Sequence, residues 1–382
     1  MSVYLDNAAA TVLCPEAAEA VLRSMKDDYA NPSSVHTMGR AAKKTIDNAR
    51  EVIADALGAD PGEIFFTSGG TEADNWAILG AAELKRHIGK HIISSPTEHD
   101  AVIKPLELLE SRGYDICKLK PTNAGTFSEQ ELEAAVREDT VLVSLMMVNN
   151  ETGNITSIRT CSEALKRRGS RALMHTDAVQ AFLKIPFEAQ TTGADLISIS
   201  SHKIHGPKGI GALYVKRGIN LPPIIYGGGQ EGGKRSGTEA APLIAGFAAA
   251  VTAGKKVFSE SVRSMNELRQ NLIDELSLKV PGIMLIGGGA PHIICLSIPG
   301  YKGEVILNYL DARGIYISRA SACKRGRRSH VLQAMGLDPE IIDGSIRVSL
   351  SGYTNKDETR AFAEALECAV RELAHGAAGK KR

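Results

Sequence analysis

The chain has 382 residues, 43% hydrophobic and 23% charged, enough to bury one large core or two smaller ones, so a main domain with an accessory domain is the expected organisation. Lysine plus arginine (45) and aspartate plus glutamate (44) nearly cancel, which argues against bulk nucleic-acid binding. No apolar run reaches the ~18 residues of a membrane helix, and no basic, apolar secretory leader opens the sequence. Six scattered cysteines without a CxxC pair argue against a zinc site or disulfide framework and fit a reducing cytoplasm.

Up to about residue 250 short apolar runs alternate with amphipathic stretches, the pattern of an α/β layer with a mostly parallel sheet. EAAEAVLRSMKDD (16–28) predicts a helix and EIFFTS (63–68) a strand. GGTEADNWAILGAA follows, where Gly70 and Thr71 open a helix with free N–H groups and a hydroxyl for an anion, or form a plain turn with a threonine cap. HIISS (91–95) predicts a strand with His99 just beyond it, a position that also suits a capping or surface histidine. After a helix over 128–139, the strand VLVSLMMV (141–148) leads to Asn149 and Asn150, residues that also form turns. ALMHTD (172–177) ends in Asp177, with Gln180 three residues on; a carboxylate closing an apolar strand needs a cationic or hydrogen-bonding partner. LISISS (196–201) runs into Ser200, Ser201, His202 and Lys203 before GALYVK (211–216), and a lysine abutting a buried strand has the cues of a desolvated nucleophilic amine.

The pattern changes near residue 250. A long helix over 259–279 precedes strands near 292–298, 314–320 and 345–351, with helices between and after them, which predicts a smaller α+β unit closing over the first. Within this half, SRASACKRGRR (318–328) sets Cys323 beside Lys324, Arg325, Arg327 and Arg328. These cations favour the thiolate and therefore a reactive cysteine; the plainer reading is a solvated basic loop.

Collected at strand ends, these residues are the parts that a pyridoxal phosphate pocket requires. The aldehyde takes a lysine, the ring nitrogen a carboxylate, the phosphate N–H and hydroxyl donors, and the ring face a flat partner.

The chain resembles the cysteine desulfurases, the NifS-like group of fold-type I, class V aminotransferase-like pyridoxal phosphate enzymes. The resemblance rests on YLDNAAAT, NPSSVH (31–36), FTSGGTEADNWA, TEHDAV, VNNETG, HTDAVQ, SHKIHGPKGIGALYV, GGGQEGGKRSGT (227–238), SACK and SIRVSLS, in that order over nearly the whole length. It implies a large domain at 15–255 around a mostly parallel seven-stranded sheet, and a small domain from 1–14 and 256–382. It further implies that Lys203 holds the cofactor as a Schiff base, Asp177 pairs with the ring nitrogen, His99 stacks on the ring, Gln180 contacts the ring hydroxyl and Asn150 lies near the ring. Gly70, Thr71, Ser200 and His202 bind the phosphate, with Thr238 completing that site from the other subunit of a homodimer. Arg347 clamps the substrate carboxylate, with Asn31 approaching it; an exposed strand arginine is the alternative.

By the same resemblance Cys323 is the catalytic cysteine on a mobile loop, and L-cysteine yields L-alanine and a persulfide for transfer to an acceptor protein. No metal is implied. The segment after Cys323 is shorter and more basic than the serine-rich loop of some relatives, and no long docking tail follows the last helix. This favours an acidic acceptor or a tRNA-thiolation partner over an iron–sulfur scaffold. A selenocysteine lyase or C–S β-lyase shares the same pocket. GGQEGGK (228–234) matches a P-loop, but Arg235 replaces the magnesium-binding hydroxyl residue and Pro242 interrupts the next helix. A tRNA-binding module built on KRGRR conflicts with the near-neutral total charge.

Overall fold

Apolar runs too short for helices become the strands of the core. A computed structural model describes the backbone of residues 2–320 and 328–378, with side chains described up to residue 373. Its strands are β1 (Val3–Tyr4), β2 (Ile64–Thr67), β3 (His91–Ser94), β4 (Asp115–Lys118), β5 (Thr140–Ser144), β6 (Leu173–Asp177), β7 (Leu196–Ser200), β8 (Gly211–Val215), β9 (Met284–Ile286), β10 (Ile293–Ser297), β11 (Ile315–Tyr316) and β12 (Ser345–Ser349).

Seven of them form the main sheet in the order β2-β8-β7-β6-β5-β3-β4, with β8 antiparallel to both its neighbours and the other four adjacent pairs parallel. Every residue of β5, β6, β7 and β8 is buried, as a sheet covered on both faces demands. One face packs on the helices Thr37–Leu57 and Ala241–Lys256 through Ile46, Ile53, Ile244 and Phe247; the other packs on Gly70–Leu84 and Asp100–Ser111 through Trp76, Ile78, Val102 and Leu106. The predicted α/β class with a mostly parallel seven-stranded sheet is therefore observed.

A second core has its own logic. In the helix Phe258–Lys279, Leu268, Leu272 and Leu276 recur every four residues and are buried with Ile294, Leu296, Val348 and Phe362. The antiparallel sheet β12-β10-β9 lies within this unit. Val3 and Leu5 join the same cluster because β1 pairs in parallel with β11, so the N-terminus is bound to the C-terminal third of the chain.

Some elements are shorter than their patterns. The run at 141–148 leaves the ladder after Ser144, and Met146 N–H donates to Glu98 Oε1 while Met147 N–H donates to the Asp177 carbonyl. This departure carries the chain toward Asn149 and Asn150. The helix expected over 128–139 stops at Ala135, and 314–320 keeps only a two-residue strand. The edge strand β4, DICK, lacks an apolar run and was not predicted. Among the described residues no single helix is long and apolar enough to cross a membrane.

Candidate active site

The carboxyl ends of β2, β6 and β7 open into one cavity of ≈ 420 Å³, where open α/β sheets place their chemistry. Gly70, Thr71, His99, Asn150, Asp177, Gln180, Ser200, His202, Lys203 and Arg347 all line it, although they come from six separate stretches of sequence.

Lys203 lies in the tight turn Ser201–Lys203 after β7, and its ammonium donates to the carbonyls of Ala8 (2.7 Å) and Ala9 (2.8 Å). The N-terminal segment thus holds the amine at the cavity wall. On the adjacent strand, Asp177 Oδ1 accepts from Val179 N–H at 2.9 Å. Burial, reinforced by repulsion from Asp74, pushes the Asp177 carboxyl up to about 7. A cation against this carboxylate would restore its charge, which a protonated ring nitrogen can supply.

The cavity wall at Gly70 is built from a close approach. A Cβ on Gly70 would lie 2.6 Å from Val179 Cγ2, so only glycine lets the start of the helix Gly70–Leu84 come up against the β6 turn. Ser200 Oγ pairs with His202 Nδ1 at 3.0 Å. Burial, then Lys203 and Lys208, push His202 down to about 4, so the ring is neutral at pH 7. With Nδ1 accepting from the serine hydroxyl, Nε2 carries a hydrogen to donate. Neutral donors, free N–H groups and a helix N-terminus suit a phosphate.

His99 is both a cap and a cavity residue. Its Nδ1 accepts from Ala101 N–H at 3.1 Å as the N-cap of the helix Asp100–Ser111, which fixes the ring beside the cavity. Gln180 Nε2 donates to the Ala8 carbonyl at 2.8 Å, and its Oε1 lies 3.3 Å from His292 Nε2.

Arg347 is not the exposed strand arginine of the alternative reading. It is 2% exposed in β12; Nη1 donates to the Asn150 carbonyl (2.8 Å), Nη2 to Asp6 Oδ1 (2.9 Å), and Nε has no partner among the described residues. A buried guanidinium with an unsatisfied N–H beside a cavity is suited to a carboxylate ligand.

Two predicted residues are not brought to this cavity. Asn31 is exposed, with Oδ1 accepting from Ser33 N–H at 2.9 Å. Thr238 is exposed beside Gly237, lining a separate small recess. Cys323 lies outside the described residues, as do Lys324, Arg325 and Arg327. Both flanks of that segment reach the site: Ser318 exchanges backbone hydrogen bonds with Arg347, while Arg328 and His330 line the cavity. Arg328 binds Asp343 through Nε (2.7 Å) and Nη2 (3.0 Å), so this cation has a fixed partner.

Sequence reading missed the acids beneath the pocket. Asp74 is pushed up to about 7 and Glu98 to about 8, both chiefly by burial, and among the described residues Asp74 Oδ1 and Glu98 Oε2 have no hydrogen-bond partner. His175 lies 3.5 Å from Asp74 and is pushed down to about 4 by burial. Asp74 is one of three carboxylates on the helix Gly70–Leu84, with Glu72 and Glu83, and nothing local marks it as the buried one; Glu98 carried no signal beyond its neighbour His99. Glu151 accepts from Ser329 Oγ, a fastening that only the folded chain brings together.

The P-loop alternative fails on geometry. Glu231, within GGQEGGK, is buried and accepts from Arg50 Nη2 (2.7 Å) and Phe66 N–H (2.8 Å), which puts a carboxylate where phosphate would have to bind.

The aminotransferase class-V family model matches residues 3–362. A cysteine desulfurase IscS from Methanosarcina thermophila is 41% identical over 97% of this chain and 93% of its own length. A second, from Dictyoglomus turgidum, is 40% identical over 97% and 95%. Among solved structures, a NifS-like protein superposes with a TM-score of 0.91 at 38% identity, covering 96% of this chain and 98% of its own. With this agreement in sequence, fold and cavity, the chain belongs to the class-V aminotransferase family, as one of its cysteine desulfurases.

Proposed function

We propose that the chain is a pyridoxal phosphate-dependent desulfurase that converts L-cysteine to L-alanine and leaves the sulfur as a persulfide on Cys323. The observation that carries this reading is the juxtaposition of Lys203, Asp177 and Arg347 around one cavity. An amine, a buried carboxylate lacking a cation and a guanidinium with an unsatisfied N–H correspond to aldehyde, ring nitrogen and substrate carboxylate.

Lys203 would hold the aldehyde, Asp177 the ring nitrogen, His99 the ring face, Gln180 the ring hydroxyl, and Gly70, Thr71, Ser200 and His202 the phosphate, with Asn150 near the ring. When bound, the cofactor supplies an electron sink that labilises bonds at the substrate α- and β-carbons. Arg347, held by Asp6 and the Asn150 carbonyl, orients the substrate carboxylate. The Lys203 amine would move protons at the substrate α-carbon as general acid and base. The Cys323 thiolate attacks the substrate sulfur; the carbon–sulfur bond breaks, a sulfur–sulfur bond forms, and a proton reaches the β-carbon. One substrate thiol and one enzyme thiol give alanine and an enzyme persulfide, so no external oxidant is consumed.

Residues 15–255 form the cofactor domain, and 1–14 with 256–382 form the domain carrying Cys323 and Arg347. The enzyme acts as a homodimer in which exposed Thr238 completes the partner's phosphate site, and Asn31 approaches the substrate when the site is filled. The acceptor is a protein with an acidic face, because Lys324, Arg325 and Arg327 follow the sulfur carrier closely in sequence.

Amino-acid analysis after incubation with L-cysteine and a reductant tests the reaction. Alanine is expected with the intact chain and none with Cys323→Ala. Pyruvate in place of alanine would overturn the desulfuration reading.

A further inference from the structure

A second cavity lies on the far side of the Lys203 turn, and the reaction gives it no role. It encloses ≈ 310 Å³ between Lys184 and Ile204 on the main-sheet side and Phe258, Ser261, Met265 and Tyr353 on the side of the second core. That volume is at the small end of ligand pockets, enough for a compact organic molecule.

Lys184 is the unusual wall residue. It is 5% exposed and lines the cavity, and among the described residues its amine has neither hydrogen bond nor ion pair. Lysines are almost never buried without a partner. Burial, with Lys203 adding to it, pushes the amine down to about 8, so it is still mostly protonated at pH 7. His205 and His292 nearby are neutral, and both are held down in part by Lys184. Glu16, the cavity's carboxylate, is exposed and makes no ion pair with Lys184, while Lys256 adds a second cation at the edge. The local balance is positive.

The backbone supplies a second, independent observation. Among the described residues three non-glycine residues have positive φ, and two of them, Leu183 (53°) and His205 (65°), line this cavity. Such conformations persist only where surrounding contacts enforce them, and they gather at ligand sites. His205 is held by its N–H on Thr11 Oγ1 (2.7 Å), its Nδ1 on the Val12 carbonyl (2.9 Å) and its ring against Tyr353 at 4.5 Å.

We propose that this cavity binds a small organic anion, with its anionic head on Lys184 Nζ and its apolar body against Leu183, Val257, Phe258 and Met265. The anion supplies the counter-charge that the fold withholds from Lys184, and the apolar wall selects against a bare inorganic ion. The site bridges the two cores. It also reaches the catalytic turn, because the segment Ala8–Cys14 bonds to Lys203 Nζ at one end and to His205 at the other. The inference does not depend on the cofactor assignment.

Fluorine NMR of para-fluorobenzoate with the purified holoenzyme tests it. Saturable line broadening is expected for the intact chain and for Arg347→Lys, which alters the carboxylate-binding arginine of the other cavity. Lys184→Met, which keeps the stem and removes the charge, should weaken binding about tenfold or more. Ala253→Phe, which fills the cavity and leaves the amine in place, should do the same and covers the case in which Lys184→Met does not fold. Inorganic phosphate should compete at least about tenfold less effectively than unlabelled benzoate. No broadening with the intact chain, equal binding by both cavity variants, loss confined to Arg347→Lys, or phosphate competing as well as benzoate would each overturn the proposal.

Discussion

Arg347 Nη2 donates to Asp6 Oδ1 at 2.9 Å, so the guanidinium that lines the cavity is fastened to the chain's first turn, 341 residues away. Lysine can supply one charge here but not a planar fork shared between Asp6, the Asn150 carbonyl and a ligand. Arg347→Lys is therefore expected to raise KM for L-cysteine about tenfold or more, with a smaller effect on kcat; steady-state kinetics with cofactor in excess read the split.

Asp6 also neutralises a nearly inaccessible cation. Asp6→Asn keeps an acceptor but removes the charge, and should destabilise the protein by about 1.5–3 kcal/mol, the usual range for hydrogen bonds to charged groups. Urea unfolding of the intact chain and the variant at equal cofactor loading measures this.

The approach of Gly70 to Val179 makes a specific steric demand. Gly70→Ala is expected to weaken cofactor binding about tenfold or more, because the new methyl must displace Val179 Cγ2 from 2.6 Å. Gly70→Ala combined with Val179→Ala should recover part of the loss. Cofactor titration followed by absorbance tests the coupling; strictly additive losses would assign the effect elsewhere.

Glu98 gives a signed pH dependence. Its folded pKa is raised from 4.5 to about 8, chiefly by burial, so the proton it holds contributes stability that is fully present below pH 4.5 and lost as pH rises through 8. Glutamine is always neutral and keeps the acceptor for Ser95 Oγ and Met146 N–H. Glu98→Gln should match the intact chain near pH 5 and become progressively more stable than it toward pH 8.5. Thermal midpoints across that range, with a difference that stays flat, would contradict the assignment.

Arg328 is committed to Asp343, whereas Lys324, Arg325 and Arg327 are the remaining cations after Cys323. Neutralising those three should slow persulfide transfer to an acidic acceptor about tenfold at low salt, and the difference should shrink at high salt. Alanine formation and acceptor labelling, measured separately, distinguish lost transfer from lost chemistry.

Much of this was legible in the chain. β6 and β7 each open on apolar residues and end in polar ones, so Asp177, Ser200 and Lys203 could be placed at strand ends from sequence patterning. The resemblance added the order of motifs and the roles of Gln180 and Arg347. What patterning could not supply was depth and company. An arginine in SIRVSLS looks the same whether exposed or buried, because alternation is lost when both faces of a strand are covered. Burial of Arg347 follows from β12 pairing with β10 and from Asp6 and Asn150 converging on it. The raised acids Asp74 and Glu98, and the lowered amine of Lys184, likewise exist only because tertiary packing excludes water from groups that local sequence would leave ordinary. Local pattern determined which elements form and where their polar ends fall; long-range contact decided which of those charges lost their solvent, and hence which can bind or react.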